Sequence, residues 1–210
     1  SDINQRNIIS WRDDRRLPLI KNILTYNFYQ IYFESIERPL FKKKNIKINK
    51  SLKDKVLNLR GNYLIIGGSN GIGNEILNLL SFNKKIKIIS TYHYNKIENL
   101  NNNIKQIKLN VEKDMNKIKK IIDQDDFTIY YFATSRILSD KKNEELKENY
   151  IKFYIKYVLQ ILKILKQNKW EYNFFYPSTD FINQKIDNLY TKIKKEAEIK
   201  IKKEIKKSKN

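Results

Sequence analysis

The pattern of apolar and polar positions changes character once along this chain, near residue 61. Beyond that point short apolar runs alternate with longer segments of helical period. Tyr63-Leu64-Ile65-Ile66 is apolar throughout and too short for a helix, as expected of a strand covered on both faces. Runs at residues 86–91, 104–109, 127–133 and 172–176 predict four more strands. Between them, apolar residues recur at helical spacing over 71–82, 112–122, 142–165 and 187–207. Such alternation predicts an α/β fold, a doubly wound parallel sheet of about five strands with right-handed crossovers. Ligands of such sheets bind at the C-terminal ends of the strands. Upstream, Ile20, Ile23, Leu24, Phe28, Ile31, Tyr32 and Ile36 follow Pro18 at helical spacing, which predicts a helix to about Glu37, broken by Arg38-Pro39. Residues 41–59 are Lys-rich, with a short helix from Ser51. The expected organisation is a helical, basic N-terminal arm over residues 1–60 and an α/β domain over 61–210.

Composition narrows the chemistry. The chain of 210 residues carries 43 Lys+Arg against 23 Asp+Glu, a formal net charge of +20, with one His and no Cys. Without Cys there is no disulfide framework, thiolate zinc site or thiol nucleophile, and a single His argues against a His-rich metal site or a Ser-His-Asp triad. No metal site is expected. No apolar run approaches a membrane span and no signal-peptide pattern opens the sequence, so a soluble, cytoplasmic protein is expected. The charge invites a nucleic-acid reading. However, Lys, Ile and Asn are all heavily used while Ala occurs only at Ala133 and Ala197, which points to AT-rich coding bias. The basic residues are mostly scattered Lys, with few Arg for bidentate contacts. Nucleic acid is therefore an unfavoured partner, and basic RNA binding remains an alternative.

All five glycines lie between Gly61 and Gly73. Gly67-Gly68-Ser69-Asn70-Gly71-Ile72-Gly73 follows a predicted strand and opens a predicted helix. Glycines there permit a tight turn, a close approach of backbone N–H groups to a pyrophosphate, and close helix–sheet packing. The helix N-terminus adds a partial positive charge. The spacing is not G-x-G-x-x-G, and no Lys-Ser/Thr completes a P-loop.

This turn resembles the Thr-Gly-x-x-x-Gly-Ile-Gly turn of short-chain dehydrogenases/reductases, and further features of that family follow in order. Asn110-Val111 ends the third strand where the family has an Asp-Val that contacts adenine. Phe132-Ala133-Thr134-Ser135 ends the fourth where it has Asn-Asn-Ala-Gly. Ser178 follows the fifth, and Tyr190-x-x-x-Lys194 opens the last helix. The resemblance covers roughly residues 61–205 and implies a Rossmann-like sheet of strand order 3-2-1-4-5. It also implies an NAD(P)H-dependent, ketoreductase-like oxidoreductase that transfers hydride to a carbonyl, with 3-oxoacyl thioesters among its substrates. The implied catalytic residues are Ser178, Tyr190 and Lys194. Cofactor contacts are expected from Gly67, Ser69, Asn70, Gly71, Ile72, Gly73, His93, Asn110, Val111 and Ala133.

The chemistry is coherent on its own terms. Reduction of a carbonyl needs a proton donor at the nascent alkoxide. Tyr190 and Lys194 are four apart and share a helix face. An ammonium about 5 Å from a phenol favours phenolate by about 3 kcal/mol at an effective dielectric near 20, so Lys194 is expected to lower the Tyr190 pKa. By resemblance, Lys194 also holds the nicotinamide ribose. Ser178 orients the carbonyl, with Thr179 as its substitute. The segment Thr91-Tyr92-His93-Tyr94-Asn95-Lys96 offers no acid to the adenosine ribose before Glu98, and His93 and Lys96 can face a 2′-phosphate, so NADP(H) is preferred over NAD(H).

Departures from the family pattern are specific. Asn149 is the nearest counterpart of the family's helix Asn, and the Phe-Ala-Thr-Ser strand end differs. The chain ends at Asn210, soon after Lys194, so the later strand and substrate loop of the family are expected to be missing. A partial or degenerate nucleotide-binding module is the alternative function. The apolar stripes of the two long C-terminal helices (Ile151, Tyr154, Ile155, Val158, Ile161, Ile199, Ile201, Ile205) predict either packing on the sheet or a homodimer interface.

Overall fold

The computed structural model describes residues 7–12, 19–26, 29–36, 49–134, 143–168, 171–185 and 187–206. Three N-terminal strands, β1 (Asn7–Arg12), β2 (Leu19–Tyr26) and β3 (Tyr29–Ile36), form an antiparallel sheet in sequence order. Tyr26 pairs with Tyr29 and Leu19 with Ile36. The predicted helix from Pro18 to Glu37 is thus corrected to two strands, with Pro18 and Phe28 outside the described residues. The physical reason lies in residue type. These segments are rich in Ile, Tyr, Thr and Phe, which favour strands, and a short apolar window satisfies helical and alternating spacing about equally well.

Residues Ile48–Asn210 form a separate compact unit. It opens with α1 (Lys50–Leu57), capped by the Asn49 side chain, which accepts from the Ser51 N–H. Five parallel strands follow: β4 (Asn62–Ile66), β5 (Lys87–Tyr92), β6 (Ile104–Lys108), β7 (Phe127–Tyr131) and β8 (Tyr172–Phe175). Their order is β6-β5-β4-β7-β8, the predicted 3-2-1-4-5 arrangement. The helices are α2 (Gly71–Leu80), α3 (Met115–Ile122), α4 (Asn143–Ile151), α5 (Tyr157–Lys166) and α6 (Leu189–Lys206). A π-helical turn, Lys152–Lys156, joins α4 to α5, so the predicted long helix is continuous but widened once.

The sheet separates two cores. On one face Leu64, Ile66, Ile129 and Tyr131 pack with Ile118, Ile122, Val158, Ile161, Ile193, Ala197 and Ile201. On the other, Tyr63, Ile65 and Ile88 pack with Leu77 and Leu80. The alternating side chains of β4 feed both, which is why its whole run is apolar. Of the C-terminal helix stripes, Tyr154, Ile155, Val158, Ile161 and Ile201 are buried in the chain's own core, while Ile199 is exposed. Among the described residues no helix is long and apolar enough to cross a membrane.

One polar residue ties α1 to this core. The buried Asn83 Nδ2 donates to the carbonyls of Val56 (2.8 Å), Leu59 (3.0 Å) and Leu57 (3.3 Å). Asn83→Ala removes this buried donor, but the Val56 carbonyl keeps the Leu59 N–H and the Leu57 and Leu59 carbonyls keep the Arg60 guanidinium. The expected cost is therefore about 1 kcal/mol, read as a lower midpoint in urea unfolding.

Candidate functional site

The glycine turn lies where β4 passes into α2, at the C-terminal edge of the sheet. Gly67 has φ +85°, a backbone conformation that side chains with a Cβ rarely adopt. A Cβ there would sit 2.8 Å from the Ala133 nitrogen and 2.9 Å from the Phe132 carbonyl carbon, so the turn is packed directly against the end of β7. A Cβ on Gly73 would overlap the Gly67 carbonyl oxygen, which fixes how closely the first turn of α2 approaches the turn before it. The loop is anchored on β5: the Gly67 N–H donates to Thr91 Oγ1 and the Gly68 N–H to the Thr91 carbonyl, both at 3.0 Å.

The N-terminus of α2 is open for a ligand. Asn70 occupies the cap position without a side-chain cap bond, and the first turn carries no acid. Asn70, Gly71 and Ile72 are exposed. Backbone N–H groups and helix dipole therefore converge on solvent with no internal anion to satisfy them, an arrangement suited to a phosphate.

The other predicted cofactor residues lie on the same strand edge. His93 follows β5 directly, with its ring tilted 41° against that of Tyr94 at 3.9 Å between centres. Asn110 follows β6, where its Oδ1 accepts the Glu112 N–H and its N–H donates to Asp114, each at 2.9 Å. The Val111 side chain is buried in the core. Ala133 touches the glycine turn through its backbone, and Thr134 Oγ1 is paired with the Tyr154 hydroxyl at 2.8 Å. Ser135 lies outside the described residues.

Ser178, Tyr190 and Lys194 are brought to one end of β8 and α6, with partners the sequence did not disclose. The Ser178 hydroxyl donates to Glu198. Tyr190 shares a hydrogen bond with Thr179, and its ring edge meets the rings of Tyr150 and Tyr154, each at 5.7 Å. Burial raises the Tyr190 pKa, outweighing the Thr179 hydrogen bond that lowers it. This corrects the expectation that Lys194 holds the Tyr190 pKa down. The Lys194 ammonium donates instead to the Tyr176 hydroxyl at 3.1 Å and to the Pro177 carbonyl. Tyr176 closes the predicted fifth strand and Pro177 follows it, but nothing in their spacing marks either as a partner of Lys194.

Lys194 is 2% exposed, and burial drops its pKa from the ordinary 10.5 to about 8, against a smaller upward pull from Glu198. Between those two values the unfolded chain holds a proton that the folded chain has shed, so stability rises with pH across that window. At neutral pH the buried charge costs up to about 3 kcal/mol. Lys194→Met is expected to raise stability at pH 7 by part of that amount, because the Pro177 carbonyl loses its donor, and to abolish the rise above pH 8. Urea unfolding as a function of pH reads both effects.

Beside this cluster, Phe174, Tyr176, Ser178, Thr179, Glu198 and Ile201 help to line a cleft of about 410 Å³ between β8 and α6. Among the described residues no group of acidic, His or Cys side chains is placed to hold a metal ion.

No family model matches this sequence, and no curated protein does. Solved structures do match. A short-chain dehydrogenase family protein from Francisella tularensis subsp. tularensis SCHU S4 is similar with a TM-score of 0.52 and 25% identity, over 66% of this chain and 60% of that one. UDP-glucuronic acid 4-epimerase from Bacillus cereus, solved in complex with NAD, gives a TM-score of 0.55 at 15% identity, over 69% of this chain and 51% of that one. UDP-glucose 4-epimerase from Thermotoga maritima gives 0.53 at 17% identity, over 69% and 51%. The chain spans between half and three-fifths of the length of these proteins. With its sheet order and glycine turn, it has the Rossmann-like fold of short-chain dehydrogenases/reductases and related epimerases.

Proposed function

We propose that this chain binds a nicotinamide dinucleotide at its glycine turn and acts as a reductase that transfers hydride to a carbonyl. One observation carries the reading: a turn at the sheet's C-terminal edge, closed so tightly that Gly67 and Gly73 admit no side chain, presents the uncapped N-terminus of α2 to solvent. The similarity to an epimerase solved with NAD supports it. The residues present fit such a group. Backbone N–H groups of Ser69–Gly73 would hold the pyrophosphate, His93 and Lys96 the 2′-phosphate of NADP(H), and Asn110, Val111 and Ala133 the adenosine side. The bound dinucleotide supplies the hydride.

The chain's own residues handle the proton. Tyr190, kept protonated by its raised pKa, donates from its hydroxyl to the nascent alkoxide. Ser178 orients the carbonyl oxygen by turning its hydroxyl from Glu198 to that oxygen, with Thr179 as its substitute. The apolar members of the neighbouring cleft's lining, Phe174, Ile182, Ile201 and Ile205, suit a substrate with an acyl body, such as a 3-oxoacyl thioester.

A second reading, a nucleotide-binding module without turnover, draws on the commitment of Lys194 to Tyr176 and Pro177. Loss of nicotinamide absorbance on adding a 3-oxoacyl thioester to protein and NADPH tests the two. Consumption of NADPH in step with hydroxyacyl product is expected. Binding without consumption favours the module, and neither binding nor consumption refutes both.

A further inference from the structure

Among the described residues Lys194 is the one buried side chain that carries a full charge, and its surroundings form a built enclosure. Its Nζ lies 4.1 Å from the centre of the Tyr176 ring and 4.7 Å from that of Tyr154, within cation–π range of both. The Tyr176 hydroxyl and the Pro177 carbonyl accept its protons. Tyr154 comes from the π-helical turn, a distortion that concentrates at functional sites. That turn is pinned twice: Tyr131 donates to the Phe153 carbonyl at 2.8 Å, and the Tyr154 hydroxyl meets Thr134 at 2.8 Å. Glu198 faces the ammonium from α6 itself, and Tyr190 stands behind the Tyr154 ring. Tyr176 also lines the cleft, beside Ser178 and Thr179.

We propose that Tyr176 and Tyr154 form a two-ring cage that positions Lys194, with Tyr176 the phenol that couples the lysine to the cleft. Tyr176 is thus a positioning residue acting through Lys194. The cage holds the amine off Tyr190 and leaves it exchanging its proton near neutral pH. The site then carries a second titrating group beside Tyr190. Its catalytic consequence rests on the reductase reading; the cage itself does not.

The Lys194 ¹³Cε chemical shift of the folded chain, followed by NMR across pH with Lys194→Met to assign it, reads its titration without any cofactor. The expected midpoint in the unsubstituted protein is about 8. Tyr176→Phe keeps the ring but removes an acceptor of the charged form, so the midpoint falls by about one further unit. Tyr154→Phe keeps the ring face and leaves the midpoint in place, whereas Tyr154→Leu lowers it. An ordinary midpoint in the unsubstituted protein, an unmoved midpoint in Tyr176→Phe, or equal shifts in Tyr154→Phe and Tyr154→Leu would overturn the cage. If Tyr176→Phe does not fold, the unsubstituted midpoint and the Tyr154 pair decide. The pH profile of carbonyl reduction separates the two claims. A limb that moves with the Tyr176→Phe midpoint ties the cage to the reaction, and one that stays removes that tie. Absence of turnover refutes the reductase reading and leaves the NMR titration standing.

Discussion

Tyr190→Phe is expected to lower carbonyl reduction by about 10²–10⁴-fold, the range set by removing a positioned general acid. The loss falls on kcat, because the phenyl ring retains the edge contacts to Tyr150 and Tyr154 and the cleft keeps its shape. Dinucleotide affinity is expected to stay within about threefold, less than 1 kcal/mol. The pH dependence follows from the direction of the Tyr190 shift. With its pKa raised above the ordinary 10.0 by burial, the phenol stays protonated throughout the neutral range, so its own titration imposes no fall in reduction until pH passes 10. Initial rates for the two proteins, measured at saturating cofactor and across pH, check both points. Equal rates would remove Tyr190 from the mechanism.

The largest structural effect is expected at Gly73. Its Cβ would overlap the Gly67 carbonyl oxygen and lie 3.1 and 3.2 Å from the Gly67 carbonyl carbon and Gly68 Cα, all backbone atoms that cannot rotate away. Gly73→Ala must therefore push α2 off the turn. We expect a stability loss of about 2–4 kcal/mol and a loss of dinucleotide affinity of at least about 100-fold. Gly71→Ala is the matched control. Gly71 has φ +55° but open space around the position of a Cβ, so only the cost of the left-handed conformation applies, about 1–2 kcal/mol. Thermal unfolding and equilibrium titration of the two variants side by side separate crowding at the turn from backbone strain.

Much of the α/β unit is legible in the sequence because each signal is local. Tyr63–Ile66 can only be a strand covered on both faces, and the five glycines confined to residues 61–73 mark the turn by residue type alone. The N-terminal segment was not legible, since Ile20, Ile23 and Leu24 satisfy a helical spacing while their β-branched and aromatic neighbours favour strands. The π-helical turn was also hidden: one widened turn shifts the apolar stripe of residues 143–166 too little to break its period.

In the candidate site, Tyr190 and Lys194 are named by their spacing on one helix. Their actual partners are not. Tyr154, Tyr176 and Lys194 are far apart in sequence and meet only through the packing of α6 against β8 and the π-helical turn. With 14 Tyr in the chain, no count or spacing distinguishes these two rings. Helical spacing alone implied that Lys194 would serve Tyr190; tertiary packing turned the ammonium to Tyr176 and Pro177 instead.

The central claim, that the glycine turn holds a nicotinamide dinucleotide, is tested most directly by equilibrium titration with NADPH and NADH, followed by nicotinamide fluorescence, on the unsubstituted protein and on Gly73→Ala. Saturable binding, tighter for NADPH and lost in Gly73→Ala, is the predicted result. No saturation by either dinucleotide up to millimolar concentration, or binding that survives the substitution undiminished, would contradict it.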